Sequence, residues 1–383
     1  MRILHVNHAL TVGGAETMLL ELAAEHKRLG HTVTICSMYG VGPLDAKARD
    51  LDLPVVHLNS GRALTAKIKS LVSYLREHPQ DLLHSHWAVW LATSIAGFLT
   101  KTRHVHTHHS GESRRRFMEH RAALMFTNKV VVLTPKIDNY IRQWVSVPRR
   151  KLVVIPNGID LTRFSGTQRT ELDGIDPRAP VVGMVARLSP PKDYSTFIRA
   201  AKIVLNRFPN VHFVAVGEGR QRLQLEVERA QLALRNFHFL GNREDVPSIL
   251  KRMTVAVLAS DSEGQGIVLV EALASGCPCI ATDIPAIRFV LDQGNAGLLV
   301  PGKDPEALAE GIGRLLLDEP LRQSLRENGV QRSLRFSAQR MARDYIYLYC
   351  RLNPPPRALE SGRPAGCPEL CFQTRDHRCP GAA

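Results

Sequence analysis

Residues 260–276 read SDSEGQGIVLVEALASG. Gly264 and Gly266 flank Gln265, and the apolar run Ile267 to Leu273 follows directly. This order predicts a glycine-rich loop feeding a short helix from about residue 267 to 275, closed by Gly276 as a left-handed cap. The run is apolar on nearly every face, so the helix should be buried, yet it carries Glu271 one turn in. A buried carboxylate needs donors. Bare backbone from Gly264 to Ile267, set at the positive end of a helix dipole, can hold an anion such as a phosphate. Glu263 stands at the mouth of the loop and Glu271 could accept from two neighbouring hydroxyls, a set that suits a phosphorylated sugar. The other reading pairs Glu271 with a structural arginine and lets the glycines merely turn the chain.

Upstream, short β-rich runs alternate with helical stretches, the pattern of a parallel sheet with helices on both faces. Strands are expected at 3–6, 32–36, 55–58, 82–84, 104–108, 130–133 and 152–155, then at 181–185, 211–216, 237–240, 255–258, 278–281 and 297–300. Between the first strand and a helix ending at Gly30 lies Gly13-Gly14-Ala15-Glu16, where bare backbone admits a ligand. Any tight strand-to-helix turn could use the same pair. Ala186-Arg187-Leu188-Ser189-Pro190-Pro191-Lys192 puts two cations five residues apart on a turn before a helix from about Tyr194 to Arg207. Arginine grips a phosphate with two donors and lysine supplies a point charge. Gly217-Glu218-Gly219 lacks a third glycine at dinucleotide spacing, which argues against NAD.

Two histidine groups, His84-Ser85-His86 and His104-Val105-His106-Thr107-His108-His109, close two of the first-half strands. On a strand His104, His106 and His108 project to one side and His109 to the other. They read as a zinc cluster or, more simply, as side chains hydrogen-bonded at strand ends.

Together the motif Glu263-Gly264-x-Gly266-x4-Glu271-Ala272, the following Gly276-x-Pro278, the Gly13-Gly14-Ala15-Glu16 turn, Pro156-Asn157-Gly158-Ile159-Asp160 and Arg187-Leu188-x3-Lys192 resemble the retaining glycosyltransferases of family four. The resemblance spans roughly residues 1–350. It implies the α/β GT-B fold: a Rossmann-like acceptor-side domain over 1–165, a nucleotide-sugar-binding one over 166–336, and a helix over 337–352 crossing back onto the first. It also implies roles. Arg187, Lys192 and the amides of Gly264, Gln265, Gly266 and Ile267 hold the diphosphate, Glu271 the ribose and Glu263 the donor sugar. His109, after a Thr-x pair, orients that sugar, with His86 a weaker candidate. Gly13 and Gly14 floor the cleft, and Gly217 and Gly241 border the base. Gln265 departs from the pattern, since the family usually has Phe there.

The resemblance further implies a nucleotide-sugar donor, a glycan or lipid-linked acceptor, and neither metal nor other cofactor. Asp50-Leu51-Asp52 matches a metal-binding triplet of another transferase architecture but falls far along the chain from the donor loop. Rival readings are an epimerase of the same fold and a non-catalytic nucleotide-sugar binder.

The formal charge of +14 is uneven: residues 1–163 hold 22 Lys/Arg against 12 Asp/Glu, leaving a surplus of only 4 for the rest. A basic first half points to an anionic partner. Arg114, Arg115, Arg116 and Arg121 interleave with apolar residues and read either as an anionic-membrane contact or as a solvated helix face. With 6% aromatic residues, nucleic acid is a poor fit. No leader pattern or spanning run stands out, so a cytoplasmic protein, peripheral at the inner membrane face at most, is expected. The seven scattered cysteines fit reduced thiols. The proline-rich 353–383 tail reads as disordered.

Overall fold

The structure, a computed structural model, describes residues 1–11, 13–109, 117–135 and 141–354. Two sheets organise it. The first contains β1 (Arg2–Asn7), β2 (Thr32–Ser37), β3 (Val55–His57), β4 (Leu82–His86), β5 (Arg103–His108), β6 (Lys129–Val132) and β7 (Leu152–Val154). The second contains β8 (Val181–Val185), β9 (His212–Val216), β10 (Phe237–Gly241), β11 (Val255–Leu258), β12 (Cys279–Thr282) and β13 (Leu298–Val300).

Every expected strand forms, with ends shifted by at most two residues. The informative shift is in β4, which runs on to His86 because Ser85 and His86 pair with His106 and Thr107 of β5. All neighbours are parallel, in the orders β3-β2-β1-β4-β5-β6-β7 and β10-β9-β8-β11-β12-β13. Each order reverses once, between β1 and β4 and between β8 and β11. Parallel sheets open a crevice beyond the carboxyl ends of the strands at such a reversal. The two domains are therefore Rossmann-like, each offering one ready-made crevice.

Local chemistry explains the helices that matter. The helix Tyr194–Arg207 starts where Asp193 accepts from the Thr196 amide at 3.3 Å, after two prolines that cannot extend it backwards. The helix Ile267–Ala274 enters through Gly266 at φ 81° and leaves before Gly276 at φ 67°, backbone that a β-carbon would strain.

The last helix, Ala338–Leu352, is capped by Ser337 and buries Met341, Tyr345, Leu348 and Tyr349. It lies against the helix Gly14–Arg28 of the first domain. Tyr345 Oη meets Thr107 Oγ1 at 2.7 Å and Tyr349 Oη meets His84 Nδ1 at 2.6 Å. Two connections thus join the domains, and they touch. The Ile159 amide donates to the Phe336 carbonyl at 2.8 Å, and the Ala338 amide donates to the Ile159 carbonyl at 2.9 Å. A β-carbon on Gly158 would sit 2.3 Å from the Ser337 oxygen. Gly158→Ala should therefore push the two crossovers apart and cost about 1–3 kcal/mol, read as a lower denaturant midpoint.

Among the described residues no helix is long and apolar enough to cross a membrane. Cys36, Cys277 and Cys279 are free thiols. Arg114, Arg115, Arg116, the tail from residue 355 and its three cysteines lie outside the described residues.

Candidate active site

The carboxyl ends of the two sheets face one cleft of about 300 Å³. The first domain supplies Gly14 and Ala15 after β1, His109 after β5, Leu133 after β6 and Asn157 from the hinge. The second supplies Ala186 and Arg187 after β8, Lys192, and the run from Glu263 to Val268 after β11. Most of the expected site is thereby brought together from both halves. At Gly264 the halves touch: its carbonyl accepts from Thr134 Oγ1 at 3.4 Å, and a β-carbon on it would lie 2.8 Å from the His109 oxygen.

The two cations differ. Arg187 is exposed and has no ion pair among the described residues. Its turn is braced by Tyr194 Oη, which donates to the Ala186 carbonyl at 2.8 Å. Lys192 is bound to Glu263, whose carboxylate is largely buried and also accepts from Ser260 Oγ at 2.9 Å. The Asp261 amide donates to the Pro191 carbonyl at 2.9 Å, fixing the lysine turn against the glutamate loop. The cleft thus holds one uncommitted cation, one internally neutralised pair and the positive end of the helix Ile267–Ala274.

Gln265 lines the cleft but spends its amide elsewhere. Its Nε2 donates to the Asn157 carbonyl at 2.9 Å and its Oε1 accepts from the Asn157 amide at 2.7 Å, in a buried setting. The side chain is therefore a two-bond clasp between donor loop and hinge, and the expected donor contact falls to the Gln265 main-chain amide. Gln265→Leu would leave both Asn157 peptide groups buried and unpaired, at about 1–3 kcal/mol each. A fall in the unfolding midpoint, with looser hinge protection in hydrogen exchange, is the expected result.

Glu271, Gly13, Gly217 and Gly241 do not line this cleft. Glu271 sits one turn deeper, where burial raises its pKa to about 7 against the pull of Arg163, with Glu21 pushing the same way as burial. Glu21 is likewise raised to about 7 by burial, and Arg163 Nη1 lies 3.8 Å from it. Arg163 and Glu21 were not legible as site residues, because their proximity to Glu271 is made only by the hinge. Gly13 is extended, and the Glu16 carboxylate occupies the space beside it. Gly217, at φ 132°, would drive a β-carbon to 2.2 Å from the Ala186 oxygen, and its amide donates to the Gly241 carbonyl at 2.8 Å. Both glycines shape the floor beneath the Arg187 turn. Asp52, from the acidic triplet, pairs with Lys27 at 2.5 Å, away from the cleft.

The histidines are buried in the first sheet and hydrogen-bonded there. His104 and His106 share Ser85 Oγ at 2.8 and 2.9 Å, as same-side alternation requires. His84 spends both ring nitrogens on hydroxyls, Thr107 Oγ1 at 2.7 Å and Tyr349 Oη at 2.6 Å. His5, His84 and His86 approach closely enough for metal ligation, but both ring nitrogens of His84 are already engaged by hydroxyls. His109 Nε2 and His86 Nδ1 are hydrogen-bonded at 3.0 Å, and burial lowers the His109 pKa to about 4.

Two Rossmann-like domains, a shared cleft and a crossover helix define the GT-B class of glycosyltransferases. The pattern described as glycosyl transferases group 1 matches residues 170–332, and that of glycosyltransferase family 4 matches 12–163. The chain belongs to glycosyltransferase family 4. It is 30% identical to a D-inositol 3-phosphate glycosyltransferase of Corynebacterium jeikeium over 79% of this chain and 80% of that one. It is 28% identical to the UDP-Gal:alpha-D-GlcNAc-diphosphoundecaprenol alpha-1,3-galactosyltransferase of Escherichia coli over 73% and 77% of the two chains. In fold it resembles the Anabaena protein HepE, solved in complex with UDP, with a TM-score of 0.80, 21% identity, and 91% and 99% of the chains covered.

Proposed function

We propose that this glycosyltransferase moves a hexosyl group, with retention and without a metal, from a nucleotide diphosphate sugar to a hydroxyl of a glycan or lipid-linked acceptor in cell-surface glycan synthesis. One observation carries the reading: an exposed arginine with no ion pair among the described residues and a helix N-terminus share a cleft with a lysine–glutamate pair. The bond from the anomeric carbon to the β-phosphate oxygen breaks, and negative charge grows on that oxygen. Arg187 and the amides at the start of the helix Ile267–Ala274 meet that charge in a fixed geometry. When Lys192 turns to the phosphate it releases Glu263, whose carboxylate then accepts from hydroxyls of the sugar. The acceptor oxygen attacks from the same face and its proton passes to the departing phosphate. His109, held neutral by burial, orients the sugar and is a poor base at neutral pH.

Two relatives are named for phosphate-bearing substrates, an inositol phosphate and a diphospholipid. The basic first half suits such an acceptor. On the helix Phe117–Phe126, Arg121, Met118 and Met125 are exposed, a surface that fits an anionic bilayer.

The test is to incubate the protein with UDP- and GDP-sugars, with and without membrane extract and EDTA, reading nucleotide release and product anomer. Acceptor-stimulated release that persists in EDTA and gives the donor's own anomeric configuration is expected. Isomerised free donor, or binding with no release, would overturn the transferase reading. Flotation with phosphatidylglycerol vesicles but not phosphatidylcholine ones is expected for the membrane contact; equal behaviour removes it.

A further inference from the structure

Four imidazoles run in single file from the cleft into the first domain. His109 Nε2 meets His86 Nδ1 at 3.0 Å, His86 Nε2 meets His5 Nδ1 at 3.2 Å, and His5 Nε2 meets His26 Nδ1 at 3.4 Å. They come from four elements: the loop after β5, the end of β4, the middle of β1 and the helix Gly14–Arg28. The rings also stack in order, with centroids 5.3, 5.4 and 5.5 Å apart. Such a line is not needed to fill the core, since leucine or phenylalanine would do so without buried polar atoms.

A neutral imidazole has one N–H and one lone pair, so each contact needs a donor on one ring and an acceptor on the next. Burial keeps these rings neutral: His5 is lowered to about 3, and His26 and His86 well below their usual value. The pairing of atoms then allows only two fully bonded states. Either all four rings carry hydrogen on Nε2, or all four carry it on Nδ1. The far end chooses between them. His26 Nε2 is buried with no hydrogen-bond partner among the described residues; from the last helix Tyr345 and Tyr349 meet the ring edge-on at 6.4 and 5.5 Å, and the polar group acting on it is the Ala342 carbonyl. A carbonyl favours an N–H facing it and repels a lone pair, which selects the Nε2–H state.

We propose that His86, His5 and His26 are positioning residues that hold His109 in its Nε2–H form, so that the ring lining the cleft meets the bound donor as one defined tautomer. Because His26 answers to the last helix, seating of that helix and the hydrogen-bonding character of the cleft histidine are coupled. The catalytic half rests on the glycosyl-transfer reading; the shared tautomer does not.

The full chain, labelled with nitrogen-15 histidine, tests this by long-range proton–nitrogen correlation at neutral pH, assigned with His26→Gln and His86→Gln. In the wild type all four rings should show the Nε2–H pattern. In His26→Gln the amide can face His5 with either group, so His109 should shift to a tautomer mixture. With the donor, kcat should fall about 10-fold, the worth of one hydrogen bond of correct sense, while KM moves less than about twofold. A purely structural His26 would lower stability and leave the His109 pattern unchanged, which overturns the proposal. So would neighbouring rings of opposite tautomer, a uniform Nδ1–H state, or metal-type shifts at His5, His84 and His86 that a chelator abolishes. If the variants fail to fold, the wild-type spectrum alone decides. Uniform Nε2–H rings with no turnover on any donor would sink the transferase reading and leave the chain of imidazoles standing.

Discussion

Arg187→Ala should lower kcat/KM for the nucleotide-sugar donor by about 100-fold to 1000-fold, the usual loss when one preorganised group facing a developing oxyanion is removed. Arg187 is exposed and free of ion pairs among the described residues, so the substitution should change stability by no more than about 0.5 kcal/mol. The loss would then report on chemistry rather than folding. Arg187→Lys keeps the charge but not the planar fork, and should recover only part of the activity. The contrast with Lys192 is useful. Removing Lys192 leaves Glu263 largely buried with Ser260 as its remaining partner, so that variant mixes a stability loss with a catalytic one. Initial rates of nucleotide release across donor concentrations give the number. An Arg187→Ala enzyme within about fivefold of the wild type would remove the leaving-group role.

The second large effect is acid sensitivity. His5, His26, His84, His86, His104, His106 and His109 all have pKa values depressed by burial, to about 3 or 4 where a value is resolved. In the unfolded chain each titrates near 6.5, so between that pH and about 4 the unfolded state binds more protons and stability falls as pH falls. At pH 5 each of His5, His104 and His109 contributes a loss of about 2 kcal/mol, from 1.36 kcal/mol per pH unit, and the other four act in the same direction. Glu21 and Glu271 act with the opposite sign: raised to about 7, they bind protons in the folded state first and favour folding as pH drops through 7 towards 4.5. Seven groups against two decides the direction. Thermal unfolding followed from pH 8 to 5 should show a midpoint that falls steeply below about 6.5, with the first domain, which holds all seven, melting first. A midpoint flat across that range would mean that water reaches these rings.

What the sequence legibly carried was local. Alternating apolar runs located thirteen parallel strands, because a buried parallel strand is recognisable from its own residues. The glycine turn before Ile267, the proline stop before Tyr194 and the serine cap at Ser337 likewise declare themselves within four residues. The cations and Glu263 could be placed in one cleft because each follows directly on a strand whose carboxyl end must face it. Histidines at the ends of β4 and β5 were visible, but His5 and His26, in the middle of a strand and a helix, carried no signal. Their contacts require the register of β1 between β2 and β4 and the seating of the last helix.

Three assignments were therefore made by the tertiary structure alone. The Gln265 side chain was committed to the Asn157 peptide, Glu271 was set beside Arg163 and Glu21, and Gly217 was spent on the approach of the Arg187 turn. In each case the partner lies on another element, brought near by sheet order or by the hinge. Propensity and periodicity act over a few residues of chain, so they fix which elements form and where they end. Which polar atom meets which across a cleft depends on how two separately folded sheets dock, and that is settled by packing.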